Sequence, residues 1–258
     1  MTPLFDLARA RDPDRALAAA FAPPARREAL SALICFDHEL ARARAAVREP
    51  MAALIRLQWW REAIADASAG RPPRRHEVAE PLARLVAEGL FDAASLTAMV
   101  DAREAEAEGG IPTRAAFRAW ARGTAGGFAV AAARLLGAPL SALPAVERAG
   151  EAFGVARALR SLPEQARQGR SLLPADALAE AGGDATRAAA MLAAEALAEL
   201  PGTRAALRRL PRAALPAVLP LVFARRDLRR IAAGRPTRGA RLSDDHAALL
   251  LAWLLRRP

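Results

Sequence analysis

Lysine is missing from this chain of 258 residues, and so is tyrosine; cysteine occurs once, at Cys35, and histidine three times. A single cysteine excludes an internal disulfide and is compatible with a reducing compartment. The histidines His38, His76 and His246 follow no ligand spacing, so no metal site is assigned to them. Long apolar runs are absent too: the longest near the C-terminus, Ala213 to Ala224, is too short to span a bilayer and carries Pro216 and Pro220. The opening MTPLFDLARARDPDR mixes acids and bases without an apolar core, so no secretory signal is expected. The expectation is a cytoplasmic protein, peripheral on a membrane at most.

Hydrophobic residues make up 53% of the chain, with Ala and Leu foremost and β-branched types sparse, which favours helices over sheets. Nothing reads as a flexible linker, so one domain is expected over residues 1–258. The net charge is +10, and every one of the 38 basic residues is Arg. Residues 1–200 hold 25 Arg against 25 acids, whereas 201–258 hold 13 Arg against 3 acids, so the excess belongs to a basic C-terminal portion. Such an excess raises anionic membranes and nucleic acid as partners, but no helix-turn-helix, zinc or stacking motif accompanies it, which disfavours nucleic acid.

Helical periodicity and Pro/Gly punctuation predict helices over Arg26–Val47, Met51–Ala67, Val78–Ala87, Phe91–Ala98 and Val100–Glu108, the last before a break at Gly109-Gly110. Further helices are predicted over Arg114–Leu136, closed by Gly137, and over Pro144–Gln168, with Gly154 and Pro163 inside it. The rest are Ala185–Leu200, capped by Asp184, then Leu215–Ala233, and Asp244–Leu255, capped by Ser243. The architecture expected is one all-α bundle enclosing a central space.

Residues 29–64, ALSALICFDHELARARAAVREPMAALIRLQWWREAI, closely resemble the early region of squalene/phytoene synthase family proteins, above all a divergent bacterial branch with a VREP...IRLQWWR signature. The likeness continues through GRPPRRHEV, the Asp101-Ala102-Arg103-Glu104 stretch, GTAGG at 123–127 and RSLPEQARQGRSLLP at 160–174. The resemblance implies an isoprenoid synthase fold. Active members join two prenyl diphosphates, and two aspartate-rich motifs hold the Mg²⁺ ions that offset the leaving group's charge.

Aligned on Phe36, the first motif places Ala41 and Arg42 where an aspartate pair is expected and Ala45 where the third stands. In the second, Arg160 is retained but Ser161 and Gln165 replace the two aspartates. Hard cations bind carboxylate oxygens, not Ala or Arg, so no catalytic residue, metal or cofactor is expected. What survives is a set of arginines, Arg42, Arg44, Arg157, Arg160, Arg167 and Arg170, suited to grip an anion. The same branch includes a mitochondrial complex I assembly factor that keeps the fold without its aspartates. The resemblance therefore implies an assembly or interaction role at the inner membrane, with respiratory-complex subunits as partners and a prenyl or lipid ligand in the old cavity. The alternative is a Mg-dependent prenyl transferase with displaced ligands such as Asp37, Glu39 and Glu164; a basic nucleic-acid-binding protein is the second.

Trp59 and Trp60 are candidates for lining a cavity, set against packing in the core, since neighbours on a helix point about 100° apart. Cys35, in the run LICF, reads as a small buried hydrophobe. Asp101, Arg103 and Glu104 read as ion pairs between helices, and Gly123, Gly126 and Gly127 as a close helix contact or a widened cavity. The basic stretch Arg225, Arg226, Arg229 and Arg230 is a candidate for membrane contact, against the alternative of a solvated helix end.

Overall fold

The computed structural model describes residues 3–45, 47, 49–107, 110–237, 242–255 and 258, and leaves aside the side chains of 242–244. Helices account for all its regular structure among the described residues. In chain order the first half runs α1 (Pro3–Arg11), α2 (Pro13–Ala19), α3 (Pro24–Ala45), α4 (Pro50–Ser68), α5 (Ala79–Ala87), α6 (Ala93–Asp101), α7 (Glu104–Ala107), α8 (Arg114–Ala121) and α9 (Gly127–Leu135). The second half runs α10 (Leu143–Arg160), α11 (Leu162–Arg167), α12 (Ala175–Glu180), α13 (Ala185–Glu199), α14 (Arg204–Arg208), α15 (Leu221–Ala232) and α16 (Leu242–Leu255).

Prolines open many of these helices at the first turn, where a missing N–H costs nothing: Pro3, Pro13, Pro24 and Pro50 all do so. Asp184 caps α13 as the sequence predicts, accepting from the Thr186 and Arg187 amides at 2.8 and 3.1 Å. Gly137, at φ +78, ends α9. The proposed Ser243 cap, and the Glu108 end and Gly109 half of the Gly109-Gly110 break, lie outside the described residues.

The differences from the predicted elements have physical causes. Residues before Arg26 form two helices, α2 being started by Asp12, whose side chain accepts from the Arg15 amide, with Pro13 at its first position. The long helix over Pro144–Gln168 divides at Ser161, because Pro163 cannot donate to the preceding turn. Leu215–Ala233 divides likewise: Pro216 lies in a 3₁₀ turn, Arg212–Ala217, and Pro220 precedes α15. Short helices α12 and α14 carry too few turns for periodicity to register.

Arg114–Leu136 is continuous but not uniform, since Arg122–Gly126 widens into a π turn. That turn is the backbone's closest approach to α10. A Cβ on Gly150 would stand 2.5 Å from the Ala125 carbonyl oxygen, and one on Gly154 would stand 2.8 Å from the Ala125 Cβ. The mid-helix glycines thus serve close packing. α10 is the central helix, buried along nearly its whole length, with the π turn, α9, α13 and α15 packed around it.

Part of the interior is filled by side chains. Between α2, the π turn, α9, α10 and α15, the guanidinium of Arg15 lies 3.7 Å over the Phe128 ring and 5.1 Å from that of Phe153. What remains there is a cavity of about 10 Å³, too small for a prenyl chain.

Candidate functional site

The two stretches expected to carry metal ligands converge, α3 from one side and the α10–α11 junction from the other, with α2 lying between. Asp37 on α3 is 1% exposed, and its two oxygens accept from Arg15 of α2 and, at 2.8 Å, from Arg103. Burial alone would raise this carboxyl. Arg103 and Arg15 overcome that and hold it well below the usual carboxylate range; burial in turn disfavours the Arg103 charge, and Asp37 and Glu106 more than restore it, holding that group above its ordinary value. Glu106 takes a second guanidinium nitrogen of Arg103 at 2.7 Å and the Trp120 indole N–H at 2.9 Å. Asp12 accepts from Arg157 at 2.7 Å, Asp14 from Arg160 at 2.8 Å, and Asp227 of α15 from the other arm of Arg160 at 3.0 Å.

Magnesium does not fit this arrangement. Ala41, Arg42 and Ala45 offer no oxygen on α3. At the second motif Gln165 is buried and fully engaged: its Nε2 donates to the Ala158 carbonyl at 3.1 Å and the Ser161 hydroxyl at 2.6 Å, and its Oε1 accepts from the Leu172 amide at 2.9 Å. An aspartate is one methylene shorter and has no N–H to give, so Gln165 serves as a staple for the 165–172 loop. The displaced carboxylates do not converge either. Asp37 is enclosed by two arginines, Glu39 pairs with Arg11 at 2.9 Å, and Glu164 pairs with Arg167 on the surface. Among the described residues no three His, Cys, Asp or Glu side chains are grouped as a metal site.

The six arginines assigned to an anion separate into three pairs. Arg157 and Arg160 are occupied by carboxylates of α2 and α15, which corrects their expected availability; burial disfavours the Arg160 charge, and Asp14 and Asp227 more than restore it. Arg42 faces Glu39 at 3.4 Å and Arg167 faces Glu164 at 2.6 Å, both near the surface. Only Arg44 and Arg170 are brought to one place. They line a cleft of about 500 Å³ with Glu106 and Gln165, whose apolar wall is Ile111, Leu172, Leu173 and Leu178. Arg44 donates to the Val47 carbonyl at 2.8 Å, and Arg170 to Gln168.

The sequence profile of the squalene/phytoene synthase family matches residues 8–243, nearly the whole chain. The chain belongs to the squalene/phytoene synthase family. Its fold is that of a dehydrosqualene synthase crystallised in complex with ligand, at 15% identity and a TM-score of 0.78, over 96% of this chain and 93% of that one. It is also that of the squalene synthase HpnC from Alicyclobacillus acidocaldarius, at 16% identity and a TM-score of 0.75, over 90% of this chain and 95% of that one. Among curated proteins none matches the chain in sequence.

Within this family fold the remaining candidates have definite places. Trp60 is 4% exposed and packs edge-on against Phe36 at 5.2 Å and Trp59 at 4.9 Å, so it belongs to the core; Trp59 is half-buried beside Arg74. Neither lines the 500 Å³ cleft. Cys35 is buried, and that burial pushes its thiol up to about 11, far from a nucleophile's value. Asp101 and Glu104 bridge to Arg61 of α4, while Arg103 turns inward to Asp37. Of the four arginines assigned to a membrane, Arg226 is neutralised by Asp227 and Asp245, and Arg230 donates to the Pro236 carbonyl. No described helix is long and apolar enough to cross a membrane.

Sequence reasoning passed over Asp12, Asp14, Arg15 and Asp227. A signal for the first three was present, since Asp-Pro-Asp-Arg is a helix start with its cap and Pro in register. Asp227, a lone acid among arginines on α15, gave no such sign.

Proposed function

We propose that this member of the family does not condense prenyl diphosphates and works as an assembly or interaction factor for a respiratory complex at the inner membrane. The observation that carries the first half is the ionic cluster around Asp37. An allylic diphosphate ionises only where its growing negative charge is met by cations held in place. Here the cations are guanidinium groups already spent on Asp12, Asp14, Asp37 and Asp227, and the alanines, Ser161 and Gln165 supply no carboxylate in exchange. The cleft beside Arg44 and Arg170 is the space left for a prenyl or lipid ligand with an anionic head.

The second half, the respiratory role, is supported by the likeness of VREP...IRLQWWR to the branch that contains a complex I assembly factor. The test has two arms. Purified protein incubated with labelled farnesyl and geranylgeranyl diphosphate, with and without Mg²⁺ and NADPH, is expected to release no diphosphate where a control synthase does; magnesium-dependent formation of a hydrocarbon would revive the prenyl transferase. Deleting the gene is expected to lower the amount of assembled complex I on native gels, and a normal level would remove the respiratory assignment.

A further inference from the structure

From Ala247 to Leu255, helix α16 is apolar on both of its faces. Asp245, Leu249 and Ala252, spaced four and three apart, are buried, with Leu249 and Ala252 packed against Leu219 and Phe223. The opposite face carries Leu250, Leu251, Leu254 and Leu255, which are 40%, 56%, 48% and 53% exposed. At the pitch of an α-helix these four cover an arc of about 140°. Isolated exposed leucines are ordinary, but four on one stripe form a patch that calls for an occupant.

The surroundings of this patch indicate which. Arg204, Arg208 and Arg225 line a pocket that Pro258 closes, with neither Asp nor Glu among the lining residues. Arg225 donates to the Pro258 carbonyl at 2.5 Å, and burial and then the neighbouring charges of Arg204 and Arg229 depress its basicity. Arg212 stands 5.1 Å over the ring of Trp253 on α16 itself. A second copy of the chain would bring this positive field against its own image. An acidic lipid surface accepts both parts, the leucines in the acyl boundary and the guanidinium groups at the phosphates.

We propose that the outer face of α16, flanked by Arg204, Arg208 and Arg225, is a docking surface for an anionic bilayer. The helix lies in the interface, since its 14 residues are too few to span. The leucines supply depth and the arginines supply preference for acidic headgroups. This deepens the membrane half of the proposal above and rests on it there, while asking nothing of the interior.

The experiment is sedimentation of the full chain with phosphatidylcholine vesicles and with vesicles containing phosphatidylglycerol, at low and high salt. The expected result is binding at least about tenfold tighter to the acidic vesicles, weakened by salt. Leu251→Ser/Leu254→Ser, at exposed positions, is expected to reduce that binding about tenfold with unchanged circular dichroism. Arg204→Ala/Arg208→Ala is expected to flatten the salt dependence. Equal binding to neutral and acidic vesicles, no binding, or binding indifferent to the leucine substitutions would overturn the proposal. So would a dimer in sedimentation equilibrium that the leucine variant abolishes, because the face would then belong to a second copy. Prenyl turnover is read separately, so the two proposals fail independently.

Discussion

Arginine does opposite work in two regions of this protein. Where α2, α3 and the end of α10 meet, Arg15, Arg103, Arg157 and Arg160 each find a carboxylate, and the Asp37 pairs are almost wholly buried. Around α14 and the start of α15, by contrast, Arg204, Arg208 and Arg225 share a pocket that no Asp or Glu side chain lines, and Arg225 donates to the Pro258 carbonyl there. The interior cluster holds helices α2, α3, α10 and α15 in register and is costly to disturb, because any survivor of a broken pair is a charge out of water. The C-terminal cluster contributes little to folding and leaves its field available to a partner. A tally of charge by sequence window separates the regions only by net sign; the burial of each guanidinium separates their roles.

The sharpest way to break this contrast is Asp37→Ala, which leaves Arg15 and Arg103 buried without their shared acceptor. A loss of about 3–5 kcal/mol is expected in urea denaturation. Replacing the set with apolar residues, Arg15→Met/Asp37→Leu/Arg103→Met, is expected to cost less than the single change, and a larger loss would mean that the pairing itself stabilises the fold.

A smaller effect follows from pH. The folded Asp37 carboxyl lies below its unfolded value near 3.9, so its contribution is complete above about pH 4 and is lost as pH falls towards the folded value. Denaturation midpoints measured down through the acid range should fall below about pH 4 in the wild type, and Asp37→Asn should flatten that descent. The smallest effect belongs to the other region. Arg204→Ala or Arg208→Ala is expected to change stability by less than about 0.5 kcal/mol, and a loss comparable to the interior one would erase the distinction drawn here.

Much of the fold was legible in the order of residues. Pro and Gly marked the ends of α4, α9 and α13, and Asp184 announced its own cap, because capping is settled within a few residues. That Ala41, Ala45, Ser161 and Gln165 carry no carboxylate was legible for the same reason. The engagement of Arg157 and Arg160 was not: their partners Asp12 and Asp14 lie 145 and 146 residues away. Nor was the outward face of α16, whose leucines have no polar stripe to orient them.

The sequence by itself determined that the chain is helical, that its excess charge is confined to the last 58 residues, and that Ala41, Arg42, Ala45, Ser161 and Gln165 carry no carboxylate. Tertiary structure alone decided that the interior arginines are spent on α2 and α15, that Arg15 fills the space beside Phe128 and Phe153, and that four leucines of α16 meet solvent. The division follows from range. Helix propensity, capping and residue identity are local quantities, whereas burial and ion pairing exist only once segments distant along the chain have been packed together.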